Sequence, residues 1–128
     1  MAKQKLNPLN SFSMKYNLKV LKTFEKAAKP LQKKYPSFKS DLLAFFEEIE
    51  RNPTCGVSLG GGIRKIRIAI AAKNKGKRGG ARIISYDIVV DITETDIFLL
   101  TIYDKENTET ITKEEIMFLL KKNGLSQL

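Results

Sequence analysis

The spacing of apolar residues changes once along this chain, from helical to strand-like, between Ile49 and Ile63. Before the change, Leu21, Phe24, Ala28, Leu31 and Tyr35 form one stripe, and Phe38, Leu42, Phe45, Phe46 and Ile49 form a second. Intervals of three and four place each set on one face of a helix, and aromatics at that spacing read as core. After the change, Ile66, Ile68 and Ile70 alternate with Lys65, Arg67 and Ala69. That alternation predicts a strand over 63–71 with one buried side. Further strands are expected over 82–90 and 97–103, and their short connections make them antiparallel neighbours. Two periods segregated along one chain predict an α+β fold, with helices on one face of a mainly antiparallel sheet.

Local signals divide these elements. Tyr16 to Val20 reads weakly as a first strand. Pro30 sits inside the first helical stripe; it removes a hydrogen bond and crowds the preceding turn, so a kink near Ala27 or a break into two pieces is expected. Pro36 ends that element, and Ser37 is placed to cap the next by accepting an orphan backbone N–H. Asn52 and Pro53 stop the second helix, and the two helices are expected to pair as a hairpin. Thr112 and Glu115 make a capping-box pattern opening a short C-terminal helix with Ile116, Leu119 and Leu120, ended by Gly124. Residues 1–13 are polar and aperiodic and contain Pro8, which predicts a disordered leader before a single domain over 14–128. The sheet is expected to hold three to five strands.

Composition narrows the chemistry. A chain of 128 residues with 42% hydrophobic content suits one modest core. No apolar run reaches the roughly 18 residues of a membrane span, and the first residues lack a secretory apolar region, so a cytoplasmic protein without a membrane partner is expected. Cys55 is the lone cysteine and there is no histidine. An internal disulfide is thereby excluded, and a thiolate or imidazole metal site is not expected without ligands from a partner; a carboxylate-held magnesium stays open, and neither metal nor cofactor is expected. The formal charge is +9, and the stretch from Arg64 to Arg82 holds eight basic residues and no acidic one. A field so concentrated favours a polyanion, whose bound counterions are released on association.

Lys65 and Arg67, two apart on a strand, point the same way, and Arg82 enters the neighbouring strand. Three cations on one surface repel one another. An anionic ligand accounts for them economically; the competing reading is neutralisation by Asp87, Asp104 or Glu106. The flanking cations Arg64, Lys73, Lys75, Lys77 and Arg78 are expected to hold a nucleic-acid backbone. Gly60 to Gly62 and the segment 76–80 are glycine-rich, but neither is a Walker or dinucleotide motif, and a flexible hairpin connection explains them equally. A histidine-free ribonuclease must activate a 2′-hydroxyl, stabilise a pentacovalent phosphate and protonate a leaving 5′-oxygen. Lysines crowded by cations can move protons, and arginine can clamp non-bridging oxygens while staying charged. Tyr86 and Tyr103 are either stacking platforms for bases or ordinary strand aromatics.

Three segments together resemble a known family. Gly62-Ile-Arg-Lys-Ile-Arg-Ile-Ala69, Gly76-Lys-Arg-Gly-Gly-Ala-Arg-Ile-Ile84 and Leu99-Leu-Thr-Ile-Tyr-Asp-Lys105 are similar, in order and spacing, to the core of RelE/ParE-superfamily toxins of the HigB-like branch. Tyr35 to Leu42 and Asn52-Pro53 also resemble that branch, and coverage runs from about Met14 to Leu125. The resemblance implies a RelE-like helical hairpin on an antiparallel sheet. It also implies metal-independent mRNA endoribonuclease activity on the ribosome, with inhibition of translation, and a cognate antitoxin through which the toxin oligomerises. It assigns catalytic positions to Lys65, Arg67, Arg82 and Lys105, with Lys65 or Lys105 transferring protons and Arg67 and Arg82 stabilising phosphate charge. Some RelE members carry a functional tyrosine where this chain has Thr108 to Ile111, which leaves stacking to Tyr103 or Tyr86. Two alternatives stay open: a ParE-like gyrase inhibitor, and a non-catalytic RNA-binding or antitoxin-binding module.

Overall fold

The computed structural model describes residues 14–108 and 110–125; the leader expected over 1–13 lies outside them. The elements run β1 (Lys15–Val20), α1 (Lys22–Lys34), α2 (Phe38–Arg51), β2 (Val57–Gly60), β3 (Ile63–Ile68), β4 (Ala81–Asp91), β5 (Glu94–Asp104) and α3 (Lys113–Lys122). A short 3-10 turn, Ala71–Lys73, follows β3. The five strands form one mixed sheet in the order β1-β5-β4-β3-β2. Among the described strands, β1 and β5 pair in parallel and the other neighbours are antiparallel. This is an α+β architecture compatible with the RelE-like fold.

The alternating strands divide the core in two. Ile66 and Ile68 of β3, Ala81 and Ile83 of β4, and Ile97, Leu99 and Ile102 of β5 meet the buried stripes of α1 and α2. Phe24, Phe38 and Phe45 are almost fully buried there, each worth about 1.5–3 kcal/mol in transfer terms. The opposite face carries a smaller core in which Ile63, Ile84, Tyr86 and Leu100 pack under Ile116 and Leu120 of α3. The expectation of helices on one face alone is therefore corrected: α3 covers part of the other. Asn123 at its end donates to Thr23 Oγ1, which itself donates to the Leu100 carbonyl, tying α3 to the start of α1.

Several local expectations meet a definite outcome. The capping box forms, with Glu115 N–H donating to Thr112 Oγ1 at 3.1 Å and Thr112 N–H to Glu115 Oε1 at 2.8 Å. α1 continues through Pro30 without breaking in two, because its buried face of Phe24, Ala28 and Leu31 is held on both sides of the proline. Ser37 is not a side-chain cap. Its hydroxyl donates to Asp41 Oδ2 and accepts from Ala72 N–H, joining α2 to the turn after β3. Both α1 and α2 enter the larger core, but α1 lies chiefly against β5 and touches α2 little. The strand expected over 63–71 ends at Ile68, and Ile70, fully buried, hands the chain to the turn. Gly60, Gly61 and Gly62, all at positive φ, form the tight connection from β2 to β3.

Candidate functional site

The register brings the strand cations together. Arg67 pairs with Arg82, and Arg82 pairs with Tyr103 on the far side, so three residues make one row across β3, β4 and β5. Lys65 pairs with Ile84 one step along the same face. This row lies beyond the part of the face that α3 covers through Ile63, Ile84 and Tyr86. Lys105 follows β5 directly, and its backbone N–H donates to the Gly80 carbonyl at 3.1 Å.

Carboxylates sort the cations into two groups. Arg64 Nε donates to Asp87 Oδ2 at 3.1 Å, Lys73 Nζ lies 2.6 Å from Asp104 Oδ1, Lys75 reaches Glu106 at 3.8 Å, and Lys77 reaches Glu48 at 3.1 Å. The carboxylates Asp87, Asp104 and Glu106, offered by the competing sequence reading as partners of Lys65, Arg67 and Arg82, are thus spent on other cations. Among the described residues, no carboxylate pairs with Lys65, Arg67, Arg78, Arg82 or Lys105. Lys65 is half-buried and Arg67 and Arg78 are exposed, so an incoming phosphate finds these charges uncompensated.

Three expected contact residues are placed elsewhere than the sequence suggested. Lys73, expected on the RNA, has a side chain only 3% exposed and locked to Asp104. Tyr86, a stacking candidate, is 5% exposed and belongs to the core under α3. Arg82, expected to clamp phosphate oxygens, is 3% exposed. Its Nη1 donates to the Lys77 and Ala81 carbonyls at 3.0 and 3.3 Å, and its Nη2 to the Arg78 carbonyl at 2.9 Å. Burial and then the neighbouring Arg67 cation pull its pKa below the ordinary arginine value, against the favourable field of Tyr103. An arginine stays charged through such a shift.

Tyr103 keeps its place in the cationic row. Its hydroxyl is buried and meets no well-aligned hydrogen-bond partner among the described residues. Burial raises the pKa of this phenol, opposed by the polar groups of Ile111 and Thr110 and by the Arg82 cation. Beside it a cleft of about 430 Å³ opens between Thr101, Ile111 and the α3 residues Phe118 and Leu119.

A buried cluster stands behind the row. Tyr35 donates to Asp104 Oδ2 at 2.5 Å, Lys73 binds the other oxygen, and Glu106 N–H donates to Oδ1 at 3.0 Å. Burial opposes the charge on Asp104, yet the Lys73, Tyr35 and Glu106 bonds outweigh it and hold the carboxyl below its usual pKa. The Lys34 and Lys73 ammonium groups also lie 5.3 and 5.6 Å from the Tyr35 ring centre. Burial, then Asp104, pushes the Tyr35 phenol far above its ordinary value. The cluster joins the end of α1, the turn after β3 and the end of β5, and thereby fixes the backbone that carries Lys105. In sequence, Asp104 reads only as a neutralising carboxylate and Tyr35 only as a core aromatic, and no local signal links the two.

The sequence matches, over residues 18–125, the family described as the RelE toxin of the RelE/RelB toxin-antitoxin system. The matched span runs from the middle of β1 past the end of α3 and includes the whole cationic row. With a sheet and helices compatible with that fold, the chain belongs to the RelE toxin family.

Proposed function

We propose that this toxin is a ribosome-dependent, metal-independent mRNA endoribonuclease of the HigB-like branch that inhibits translation and is held inactive by a cognate antitoxin. The observation that carries the reading is the set of cations Lys65, Arg67 and Lys105 around one end of the sheet, which pair with no carboxylate among the described residues. A phosphate seated on Arg67 places its developing equatorial charge against a guanidinium that stays protonated through the reaction. Lys65 and Lys105 supply ammonium groups to either side, one to accept the 2′-hydroxyl proton after deprotonation and the other to protonate the departing 5′-oxygen. Attack of the 2′-oxygen then closes a 2′,3′-cyclic phosphate and releases a 5′-hydroxyl end. Tyr103, beside the row and next to the cleft, is the aromatic placed to stack on a base; Arg78 and the exposed Lys75 and Lys77 extend the phosphate track.

The antitoxin is expected to bring carboxylates and apolar side chains onto this surface, since the uncovered cations and the exposed Met117 and Phe118 of α3 lie on the same side of the sheet. Oligomerisation through that partner and action in the cytoplasm belong to the same proposal. No described helix is long and apolar enough to cross a membrane.

The test is induction of the toxin in a susceptible bacterium, followed by primer extension on cellular messages and by cleavage of a defined mRNA with purified ribosomes. The wild type arrests translation and leaves cut messages, and Arg67→Ala and Lys65→Ala lose at least about tenfold in cleavage rate. Intact messages under growth arrest, with inhibition of DNA supercoiling instead, would replace the nuclease with a gyrase inhibitor. RNA binding without any cut would reduce the site to a binding module.

A further inference from the structure

The buried Arg82 is chemically unusual: a cation 3% exposed, with no carboxylate partner among the described residues, beside a second cation. A buried charge is tolerated only when its donors are satisfied, and here loop carbonyls do this. Two of the three, Lys77 and Arg78, belong to the connection between the turn at Ala71–Lys73 and β4. Two of its cations are tied at exposed ion pairs, Lys75 to Glu106 at 3.8 Å and Lys77 to Glu48 at 3.1 Å, which solvent weakens, so the bonds from the buried Arg82 are its firmest hold on the sheet. It has no strand partner of its own. Its far end is pinned where Lys73 meets Asp104 and Gly80. Its near end is pinned where the Gly80 carbonyl accepts from Lys105 N–H.

From this geometry we infer that Arg82 is a positioning residue: its guanidinium holds the 74–80 loop against the sheet and so sets where Arg78 and Lys105 stand, without itself contacting RNA phosphate. The inference rests on the nuclease reading for its functional meaning. A planar fork suits the task, because Nη1 and Nη2 reach the Lys77 and Arg78 carbonyls from one rigid group, whereas a lysine ammonium is a point charge on a flexible stem. Carbonyl dipoles satisfy the donors without cancelling the charge, so Arg82 also adds to the positive potential felt over Arg67 and Lys65.

The experiment counts phosphate contacts and loop order separately. The salt dependence of binding to a short single-stranded oligouridylate is measured for the wild type, Arg67→Met, Arg82→Met and Arg82→Lys, with amide hydrogen exchange of residues 78–80 followed in parallel. A residue that pairs with phosphate contributes about 0.7 to the log–log slope. Arg67→Met is expected to lower the slope by about that amount with loop exchange unchanged. Arg82→Met is expected to make the loop amides exchange at least about tenfold faster, with any fall in slope appearing only together with that loosening. Arg82→Lys, which keeps the charge and guards against misfolding of the methionine variant, is expected to give the same faster exchange and a lower cleavage kcat with little change in KM.

A slope that falls with Arg82→Met while the loop amides stay protected, as expected for Arg67→Met, would overturn the inference, as would protected loop amides in Arg82→Lys. If the wild type neither binds nor cuts RNA, the nuclease reading fails, and the exchange data still decide whether Arg82 holds the loop.

Discussion

Lys73→Met tests the buried cluster behind the cationic row. The two side chains of the Lys73–Asp104 pair are 3% and 5% exposed and their charged atoms stand 2.6 Å apart, so solvent screens them little. Removing one partner of such a pair costs about 3–5 kcal/mol, because the other charge is left buried. Asp104 would retain Tyr35 and the Glu106 N–H, with Lys34 at 4.0 Å, which sets the expectation near the lower end, about 3 kcal/mol. With about 2.1 cal/mol/K of unfolding entropy per residue, that loss lowers Tm by about 11 °C for a chain of this size. Asp104→Asn in the same background should cost much less than in the wild type, since the double variant removes both charges and the substituted amide oxygen still accepts from Tyr35. The pH dependence has a definite sign. Asp104 titrates below its unfolded value, so its contribution is complete above the unfolded carboxylate pKa, near 3.9, and is lost as pH falls through the lower folded value. The difference between wild type and Asp104→Asn should therefore be constant from pH 7 to about 5 and shrink below about 4. Urea titrations across that range supply the readout. A Lys73→Met loss under about 1 kcal/mol, or additive single and double variants, would refute the cluster as a coupled unit.

Further outcomes follow from single contacts. Asn17 on β1 donates through Nδ2 to both Glu94 and Asp96 of β5; Asn17→Asp should destabilise the fold by about 2 kcal/mol at pH 7, with the loss relieved in acid, as thermal melts at the two pH values will show. A Cβ on Gly80 would collide with the Ile68 carbonyl, so Gly80→Ala should cost more than about 2 kcal/mol in urea unfolding, and a neutral result would contradict the close packing of β3 and β4 there. Burial and then Glu48 raise the Cys55 thiol pKa against Arg64 and Lys77; iodoacetamide should label it with a pH inflection above that of a free cysteine, and an inflection below it would contradict this environment.

What the sequence disclosed followed from how locally each feature is encoded. The stripes of α1 and α2 and the alternation of β3 are periods within one element, and the structure keeps them; β4, buried at every residue from Ala81 to Tyr86, does not alternate there. Val57 to Gly60 gives no such signal, because all four residues of β2 are exposed and leave no alternation to read. The shared face of Lys65, Arg67 and Arg82 was legible, since two-residue periodicity and antiparallel pairing fix it. The separate fates of Tyr86 and Tyr103 depend on where α3 lands, and the choice of Lys73 as the inward lysine depends on Asp104, thirty-one residues away. Nothing near Arg82 in the sequence announces that a loop will close over it.

The parallel seam between β1 and β5 has a consequence for how the protein is made. Asn17 finds its partners Glu94 and Asp96 only after 77 and 79 further residues have been synthesised. A nascent chain emerging from the exit tunnel therefore holds β1 unmatched until β5 has followed it out, and such long-range closure is slow. The last strand delivers Tyr103, Asp104 and the approach to Lys105 in the same event. Completion of the sheet and assembly of the cationic surface thus coincide with the arrival of β5, so a product truncated before Glu94 carries the basic segment without the scaffold that aims it.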